Sequence, residues 1–159
     1  MDKEKILETV AEQKEGVLSL ACSASISLLI LSEELEPEYY DDLDFIDACR
    51  QLVIRHERCH IRILIKNAEN LRRQEHRLLG LIQRLPSRME IKVCHEEDRD
   101  YPQAFMLADS TGLFLKRLPG RNKAVIYTDA PRVNDEYRKV FQGLWDRAES
   151  DRNLQSVNL

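Results

Sequence analysis

Hydrophobic and polar positions along the chain follow two different periods. Short apolar runs between polar segments predict strands, and apolar residues spaced three and four apart predict helices. Runs of the first kind occupy residues 26–31, 61–65 and 89–93. We expect the first two to be buried on both faces, as strands are when helices cover both sides of a sheet. The third alternates strictly and is therefore predicted to be half exposed.

Helical spacing appears four times. The predicted helices cover residues 6–22, 45–53, 71–85 and 131–148. Pro131 fits the first turn of the last helix, which has the broadest apolar stripe of the four. Strand, helix, strand, helix and strand follow one another with short connections. This order predicts right-handed crossovers and parallel pairing of the three strands.

A hairpin is predicted after the parallel strands. Its arms are residues 104–108 and 113–117, and they flank Asp109–Gly112, four residues that each suit a tight turn. Residues 124–127 add a further short strand. The predicted fold class is therefore α/β, with a mixed sheet that has a parallel core and an antiparallel hairpin, and with helices on both faces.

Length and charge narrow the picture further. The 159 residues suit one domain, and we expect an N-terminal helix over 1–24 that packs on an α/β domain over 25–149, followed by a tail over 150–159. There are 24 Lys and Arg against 28 Asp and Glu, a formal charge of -4. Because this balance gives no general attraction to nucleic acid or anionic membranes, we expect neither as a partner.

The location of the protein follows from its apolar runs and its cysteines. No run approaches the roughly 20 apolar residues of a membrane span, and the N-terminus is too charged for a signal peptide. We therefore expect a cytoplasmic protein. The four cysteines are widely spaced without a CxxC pair, which predicts reduced thiols.

One group of metal-ligating residue types occurs, in two parts. His56–His60 reads HERCH, and Cys94 and His95 follow later. Parallel pairing would place Cys59 and His60 at the start of one strand and Cys94 and His95 at the end of the next, roughly 16 Å apart. No metal site is predicted from this arrangement. Since there is also no Gly-rich phosphate loop or dinucleotide motif, no cofactor is expected.

Basic residues gather where predicted strands end. Ligands of open α/β sheets usually bind at the carboxyl ends of the strands, so these residues are candidates for binding an anionic small molecule or a partner protein. They are Lys66, His76, Arg77, Arg117 and Arg121. A solvated basic face without a ligand is the simpler alternative for the helix that carries His76 and Arg77.

Three segments and the order of elements carry a family resemblance. The segments HRLLGLIQRLPSRMEI, AFMLADSTGLFL and FQGLW resemble an uncharacterised bacterial domain of the phospholipase D-like fold, often attached to GNAT-type acetyltransferases. The active motif of that fold is His-x-Lys-x4-Asp. If Asp109 is aligned with the Asp of the motif, Pro102 takes the place of the nucleophilic His and Ala104 that of the Lys. The resemblance therefore implies a degenerate active site, in which Asp109 is the remnant of a catalytic constellation or, more simply, the residue that starts a turn.

The resemblance also implies partners. Two halves of this fold meet face to face, so a single half is expected to form a homodimer, and an acetyltransferase-type partner is expected from the family setting. The predicted function is a non-catalytic binding or regulatory module for an anionic ligand or a partner protein. Its candidate ligand-binding residues are Lys66, His76, Arg77, Asp109, Arg117 and Arg121. Two alternatives are a divergent phosphodiesterase that uses His76 or His95, and a docking domain for a separate enzyme.

Overall fold

A single mixed sheet organises the computed structural model, which describes residues 4–117 and 122–155. In these residues the sheet has eight strands, in the order β1-β7-β6-β5-β2-β3-β4-β8. The strands are β1 (Glu4–Leu7), β2 (Ser27–Ser32), β3 (His60–Ile65), β4 (Met89–Val93), β5 (Gln103–Ala108), β6 (Gly112–Arg117), β7 (Ala124–Tyr127) and β8 (Glu149–Ser150).

Strand directions confirm the predicted fold class. β2, β3 and β4 pair in parallel, with Leu28 opposite Ile61 and Ile61 opposite Met89. β5 returns antiparallel beside β2 and forms the predicted hairpin with β6, which pairs in turn with β7. The parallel core and the antiparallel half thus meet at β2, in the middle of the sheet.

Helices cover both faces of the sheet. They are α1 (Val10–Ser23), α2 (Pro37–Tyr40), α3 (Leu43–Arg55), α4 (Glu69–Arg73), α5 (Arg77–Arg84), α6 (Pro131–Arg147) and α7 (Arg152–Gln155). α1, α3 and α5 bury their apolar stripes on one face, and α6 buries its stripe on the other. Among the described residues, no helix combines the length and apolar character that crossing a bilayer requires.

The burial of the strands explains their sequence patterns. In β2, Leu28 and Ile30 join the core under α1 and α3, whereas Leu29 and Leu31 join the core under α6. Both faces of this strand are covered, so its apolar run is continuous. In β4 only alternate residues are fully buried, and Glu90 is exposed. The prediction that this strand is half exposed is therefore right.

The N-terminal element differs from its prediction. Residues 4–7, whose second half was assigned to the first helix, form β1 and pair with β7. α1 begins later because Thr9 caps it with a reciprocal pair of bonds. The Glu12 amide donates to Thr9 Oγ1 at 3.1 Å, and the Thr9 amide donates to Glu12 Oε1 at 3.2 Å. The capping box fixes the helix start and leaves the preceding residues extended.

The helix predicted over 71–85 is two helices. The chain leaves the helical path at Gln74, between α4 and α5, and His76 caps the second helix. The side chain of His76 accepts a hydrogen bond from the backbone two residues later, and such a bond competes with a continuous helix. The spacing of apolar residues alone does not reveal this break.

The C-terminal segment, where a tail was predicted from residue 150, packs on the sheet as far as residue 155. β8 pairs antiparallel with β4, and Leu154 is buried. The Gln155 side chain accepts a hydrogen bond from the Ile91 amide at 2.7 Å and donates to the Met89 carbonyl at 2.8 Å. One amide side chain thus takes the place of a strand backbone along the free edge of β4.

Candidate functional site

The parallel strands define the edge of the sheet at which ligands are expected. At this edge lie Ser32, Lys66 and Cys94, where β2, β3 and β4 end, and we call it the carboxyl rim. Gln103 and Arg117 belong to the same rim, because β5 starts there and pairs residue 103 with residue 117. In open α/β sheets this edge is the usual binding site.

Asp109 lies at the opposite edge of the sheet. β5 runs antiparallel to β2 and places Ala108 opposite Leu28, so Asp109 adjoins the beginning of β2. The six residues of β5 separate it from the carboxyl rim by roughly 20 Å. The expectation that Asp109 belongs to one ligand site with Lys66, His76, Arg77 and Arg117 is therefore wrong, since the antiparallel direction of β5 carries it away from them.

The carboxylate of Asp109 has a structural task where it lies. It accepts hydrogen bonds from the backbone amides of Ser25 at 3.0 Å, Ile26 at 2.8 Å and Ser27 at 3.0 Å. Burial raises the pKa of the Asp109 carboxyl group, but these amide bonds outweigh burial, and the pKa lies below its ordinary value. Asp109 has a φ of 52°, a left-handed conformation that Asp adopts more readily than most residues. It both starts the turn and ties the hairpin to β2.

Two side chains of α6, which the sequence analysis did not single out, hold the same turn. Asn134 Nδ2 donates to the carbonyl oxygens of Gly112 at 2.8 Å and Asp109 at 3.3 Å. Arg138 also donates to the Asp109 carbonyl. Asn134 is almost completely buried. The only sequence signal is a polar residue beside the apolar stripe of this helix, and that signal does not name the contact.

Lys66 is buried beneath the carboxyl rim, with 1% of its surface exposed. Its ammonium group donates to the carbonyl oxygens of Tyr101 and of Gln103, the second at 2.9 Å. It also lies 3.5 Å from Glu33 Oε2. These three partners match the three donors of a lysine. Lys66 therefore holds the segment that leads into β5, and it is not open to a ligand.

His76 is also buried and bonded on both ring nitrogens. Nδ1 accepts from the Leu78 amide at 3.2 Å, and Nε2 faces the Leu35 carbonyl at 3.0 Å. One nitrogen accepts and the other donates, so the ring is the neutral Nε2–H tautomer. Burial lowers the pKa of His76, consistent with a neutral ring. Its role is to cap α5 and to support Leu35, whose φ of 61° is left-handed.

Arg77 is exposed but paired. Its Nε lies 2.8 Å from Asp41 Oδ1, and its Nη2 donates to the Asp41 carbonyl at 2.9 Å. Two bonds to one residue fix the guanidinium group at Asp41, the residue that follows α2. Asp41 therefore already compensates the charge of Arg77.

Arg117 remains the open cation of the predicted set. It ends β6 and is exposed, and no hydrogen bond or ion pair of its side chain occurs within the described residues. It lines a shallow cavity of about 270 Å³ together with Lys123 and an apolar floor that includes Ile6, Leu115 and Val125. Arg121, the last predicted binding residue, lies outside the described residues.

The thiols and imidazoles lie as the strand directions predict. β3 and β4 are parallel, so Cys59 and His60 stand at one edge of the sheet and Cys94 and His95 at the other. Burial raises the pKa of the Cys94 thiol to about 11. His95 Nδ1 accepts from the Glu97 amide at 3.1 Å. Within residues 4–117 and 122–155, no group of three or more His, Cys, Asp or Glu is arranged to hold a metal ion.

The positions aligned with the His and the Lys of the phospholipase D motif carry no ionisable side chain. Pro102 is exposed just before β5, and Ala104 is buried within that strand. Pro102 lines a groove of about 530 Å³ between the loop before β5 and α6, whose apolar wall includes Tyr101, Val140 and Leu144. Lys66 binds the carbonyl oxygens on both sides of Pro102, so the backbone at this point is held in place.

Sequence comparison gives one family. Residues 9–157 match a family model described as a domain of unknown function, DUF7931. No curated protein matches the chain.

Comparison with solved structures gives the fold. The phospholipase D family member Nuc from Salmonella typhimurium superposes with a TM-score of 0.64 at 14% identity, covering 95% of this chain and 99% of Nuc. NucT from Helicobacter pylori gives 0.68 at 14% identity, covering 95% and 100%. TrmBL2, an archaeal chromatin protein, gives 0.70 at 13% identity and covers 94% of this chain, which spans only 55% of TrmBL2. Identities this low show the fold alone, and that fold is phospholipase D-like.

Proposed function

We propose a binding function without catalysis for this chain, which belongs to DUF7931, a family described as a domain of unknown function. In this proposal the carboxyl rim of the phospholipase D-like fold recognises an anionic ligand or the acidic part of a partner protein. Arg117 is the residue that receives the negative charge.

The observation that carries the proposal is the environment of Pro102. Covalent phosphoryl transfer needs a nucleophile and a cation that stabilises the developing charge. At the aligned positions stand a proline and an alanine, and the lysine that contacts this segment, Lys66, binds the backbone oxygens of Tyr101 and Gln103. Lys116, which lies opposite Ala104, donates to the Tyr39 hydroxyl at 3.3 Å. Neither step of the reaction has a free group at this place among the described residues. This supports the proposal that the chain has the phospholipase D-like fold without the phosphoryl-transfer activity.

Arg117 supports the binding part. Of the predicted cations that the structure describes, Lys66 and Arg77 are engaged by carbonyl and carboxylate oxygens, and His76 is buried and neutral. Arg117 lies at the rim with its guanidinium group open to solvent. A guanidinium group binds carboxylate and phosphate groups in a bidentate manner, which suits a small anion and an acidic peptide equally.

Two partners follow from the family resemblance. A second copy of the chain would complete the pair of halves, and an acetyltransferase-type protein would restore the proposed family setting. Sedimentation velocity at micromolar concentration tests the first, because a homodimer doubles the mass of the 18.6 kDa chain. A monomer alone at that concentration would exclude the homodimer.

The binding experiment uses thermal unfolding with inorganic phosphate and pyrophosphate. We expect the melting temperature to rise by on the order of 3 °C at about ten times the Kd. Arg117→Ala should abolish the rise, and Arg132→Ala should not. Arg132 is the matched control because it is an exposed arginine at the opposite end of the sheet, at the start of α6. Equal shifts in wild type and Arg117→Ala would contradict the proposal.

A second experiment tests for catalysis and measures the hydrolysis of bis(4-nitrophenyl) phosphate. We expect no turnover above the rate in buffer, because no nucleophile stands free at the aligned positions. Turnover that disappears in His95→Ala or His76→Ala would replace the binding module by the divergent phosphodiesterase. His95 is the sharper test, since His76→Ala also removes the cap of α5.

A further inference from the structure

Within residues 4–117 and 122–155, one part of the sheet has a helix on only one side. α6 packs against β5 and β6, and the strands beyond them, β7 and β1, end the sheet. The other face of these two strands is closely covered by α1. A Cβ atom added at Gly16 would lie 2.8 Å from Leu7 Cδ1 and 3.2 Å from Ile126 Cδ1. Two layers are therefore present here, where the centre of the sheet has three.

The uncovered surface, which we call the β1–β7 face, has apolar residues in register across three strands. Ile6 pairs with Val125, and Val125 pairs with Leu115, so the three side chains form one row. Ile6 is 54% exposed although its neighbours in the row are more buried. A second row joins Glu4 to Tyr127, whose hydroxyl donates to Glu4 Oε2 at 2.9 Å. The surface formed by these rows is apolar, and Glu4, the polar residue of the second row, already accepts a hydrogen bond from Tyr127.

The end of the face at the carboxyl rim carries two cations. Arg117 follows the last paired residue of β6 and Lys123 precedes the first of β7, so they are neighbours across the strands. Lys123 lies 3.7 Å from Glu8 Oε1, and Arg117 has no ion pair within the described residues. Among the described residues, the positive charge of Arg117 thus has no ion-pair partner and lies beside an apolar surface.

The dimensions of the β1–β7 face suit an α-helix. Two strands span roughly 9.6 Å, which is close to the 8–10 Å spacing of packed helices, so a helix beside α6 would cover β7 and β1 together. From the row of Glu4 to the row of Lys123 the face is roughly 13 Å long, the length of about nine helical residues. A helix of that size would restore the third layer.

We infer that the β1–β7 face binds an amphipathic, acidic helix of a partner protein, with apolar residues over Ile6 and Val125 and carboxylates at Arg117. The inference rests on the proposed function, since it names the class of partner that Arg117 receives. Charge decides the class. Carboxylates at the Arg117 end compensate its charge, whereas lysines there would be repelled by it. Glu4 is an exposed carboxylate at the other end of the face, so the acidic residues of the helix belong at the Arg117 end. Nucleic acid has no apolar side that could cover Ile6 and Val125.

The test uses two fluorescein-labelled peptides of about 15 residues, which exceeds the roughly nine helical residues that the face accommodates and reaches the length at which isolated helices become marginally stable. Both have leucine at every third or fourth position, and the remaining positions are glutamate in one and lysine in the other. Fluorescence anisotropy measures their binding to the full chain. We expect the glutamate peptide to bind and the lysine peptide to bind at least about tenfold more weakly.

Matched variants locate the binding. Ile6→Asp and Arg117→Ala should each weaken the glutamate peptide at least about tenfold. Ile54→Asp should leave its affinity unchanged, because Ile54 is an equally exposed isoleucine (55%) on α3, under the other face of the sheet. A Val125→Ala variant gives a second, milder change on the same face if Ile6→Asp fails to fold.

Four outcomes overturn the inference: no binding of the glutamate peptide, equal binding of the lysine peptide, binding that Ile6→Asp and Val125→Ala leave unchanged, or a homodimer in sedimentation that Ile6→Asp abolishes. The last would assign the face to a second copy. If phosphate still raises the melting temperature through Arg117 while neither peptide binds, the inference fails and the proposed function stands.

Discussion

At the residue scale, the carboxylate of Asp109 satisfies three backbone amides at the start of β2 that would otherwise need other partners. Ser27 is buried, and a buried amide without a partner costs about 1–3 kcal/mol, whereas Ser25 and Ile26 are exposed. Bonds to a charged acceptor are stronger than neutral ones. From the other side, Asn134 and Arg138 bind the Asp109 carbonyl. One residue thus connects β2, the hairpin and α6.

Replacement of Asp109 tests this role. Asp109→Ala should lower the free energy of unfolding by about 2–3 kcal/mol, and Asp109→Asn by less, since the amide keeps one acceptor oxygen and tolerates the left-handed conformation. Urea unfolding measures both, with Asp129→Ala as the control at an exposed aspartate near α6. If Asp109→Ala left stability unchanged and abolished the phosphate-induced shift, Asp109 would be a ligand residue after all.

At the element scale, α5 depends on the neutral form of His76. The ring accepts from the Leu78 amide, and the Asp41 carboxylate and the Arg77 guanidinium group are the charges that act on it. Burial lowers the pKa of His76 in the folded chain, so the unfolded chain binds the proton more readily. Stability is therefore complete above the ordinary imidazole pKa of about 6.5 and falls as the pH drops through that value.

Urea unfolding at pH 7.5 and at pH 5.5 measures this effect. The wild type should lose stability between the two values, and His76→Asn should lose less, because asparagine caps a helix without titrating. Asp41 stays charged in this window, since burial raises the pKa of its carboxyl group less than the bond from Arg77 and the other charges lower it. Equal losses in both proteins would show that another group is responsible.

The C-terminal arm, which consists of β8 and α7, covers the edge of the sheet at β4. An uncovered edge strand exposes backbone donors and acceptors that pair with other chains. Gln155 occupies two of these groups on β4, and Leu154 fixes the arm in the core.

Shortening either side chain should loosen the edge. Leu154→Ala should cost about 2–3 kcal/mol, and Gln155→Ala about 1–2 kcal/mol. Amide hydrogen exchange should accelerate at Ile91 in both variants, while β2 in the centre of the sheet keeps its protection. An unchanged rate at Ile91 would show that the arm does not protect β4.

At the scale of the whole molecule, the sheet has two ends with different uses. The end at Asp109 is closed by internal bonds, and the carboxyl rim combines a committed lysine with an open arginine. The β1–β7 face adds an apolar surface beside that arginine. The phospholipase D-like framework thus has Pro102 and Ala104 at the aligned catalytic positions, and a fold does not by itself fix a function.

The sequence by itself determined the order of the central elements, the parallel core and the hairpin, because apolar period and turn chemistry are local properties that a chain displays directly. It also determined that Asp109 starts a turn. It did not show that residues 4–7 form a strand or that 71–85 divides in two, since both depend on side-chain caps at Thr9 and His76.

Only the tertiary structure decided which of the predicted basic side chains are engaged by other groups of the chain and which are exposed. Lys66, His76, Arg77 and Arg117 look alike in the sequence, as basic residues near the ends of predicted elements. Burial and partners from distant segments separate them, because Tyr101, Leu35 and Asp41 lie 35, 41 and 36 positions away along the chain from the residues they bind. Contacts between remote segments are formed by packing, and no local pattern records them.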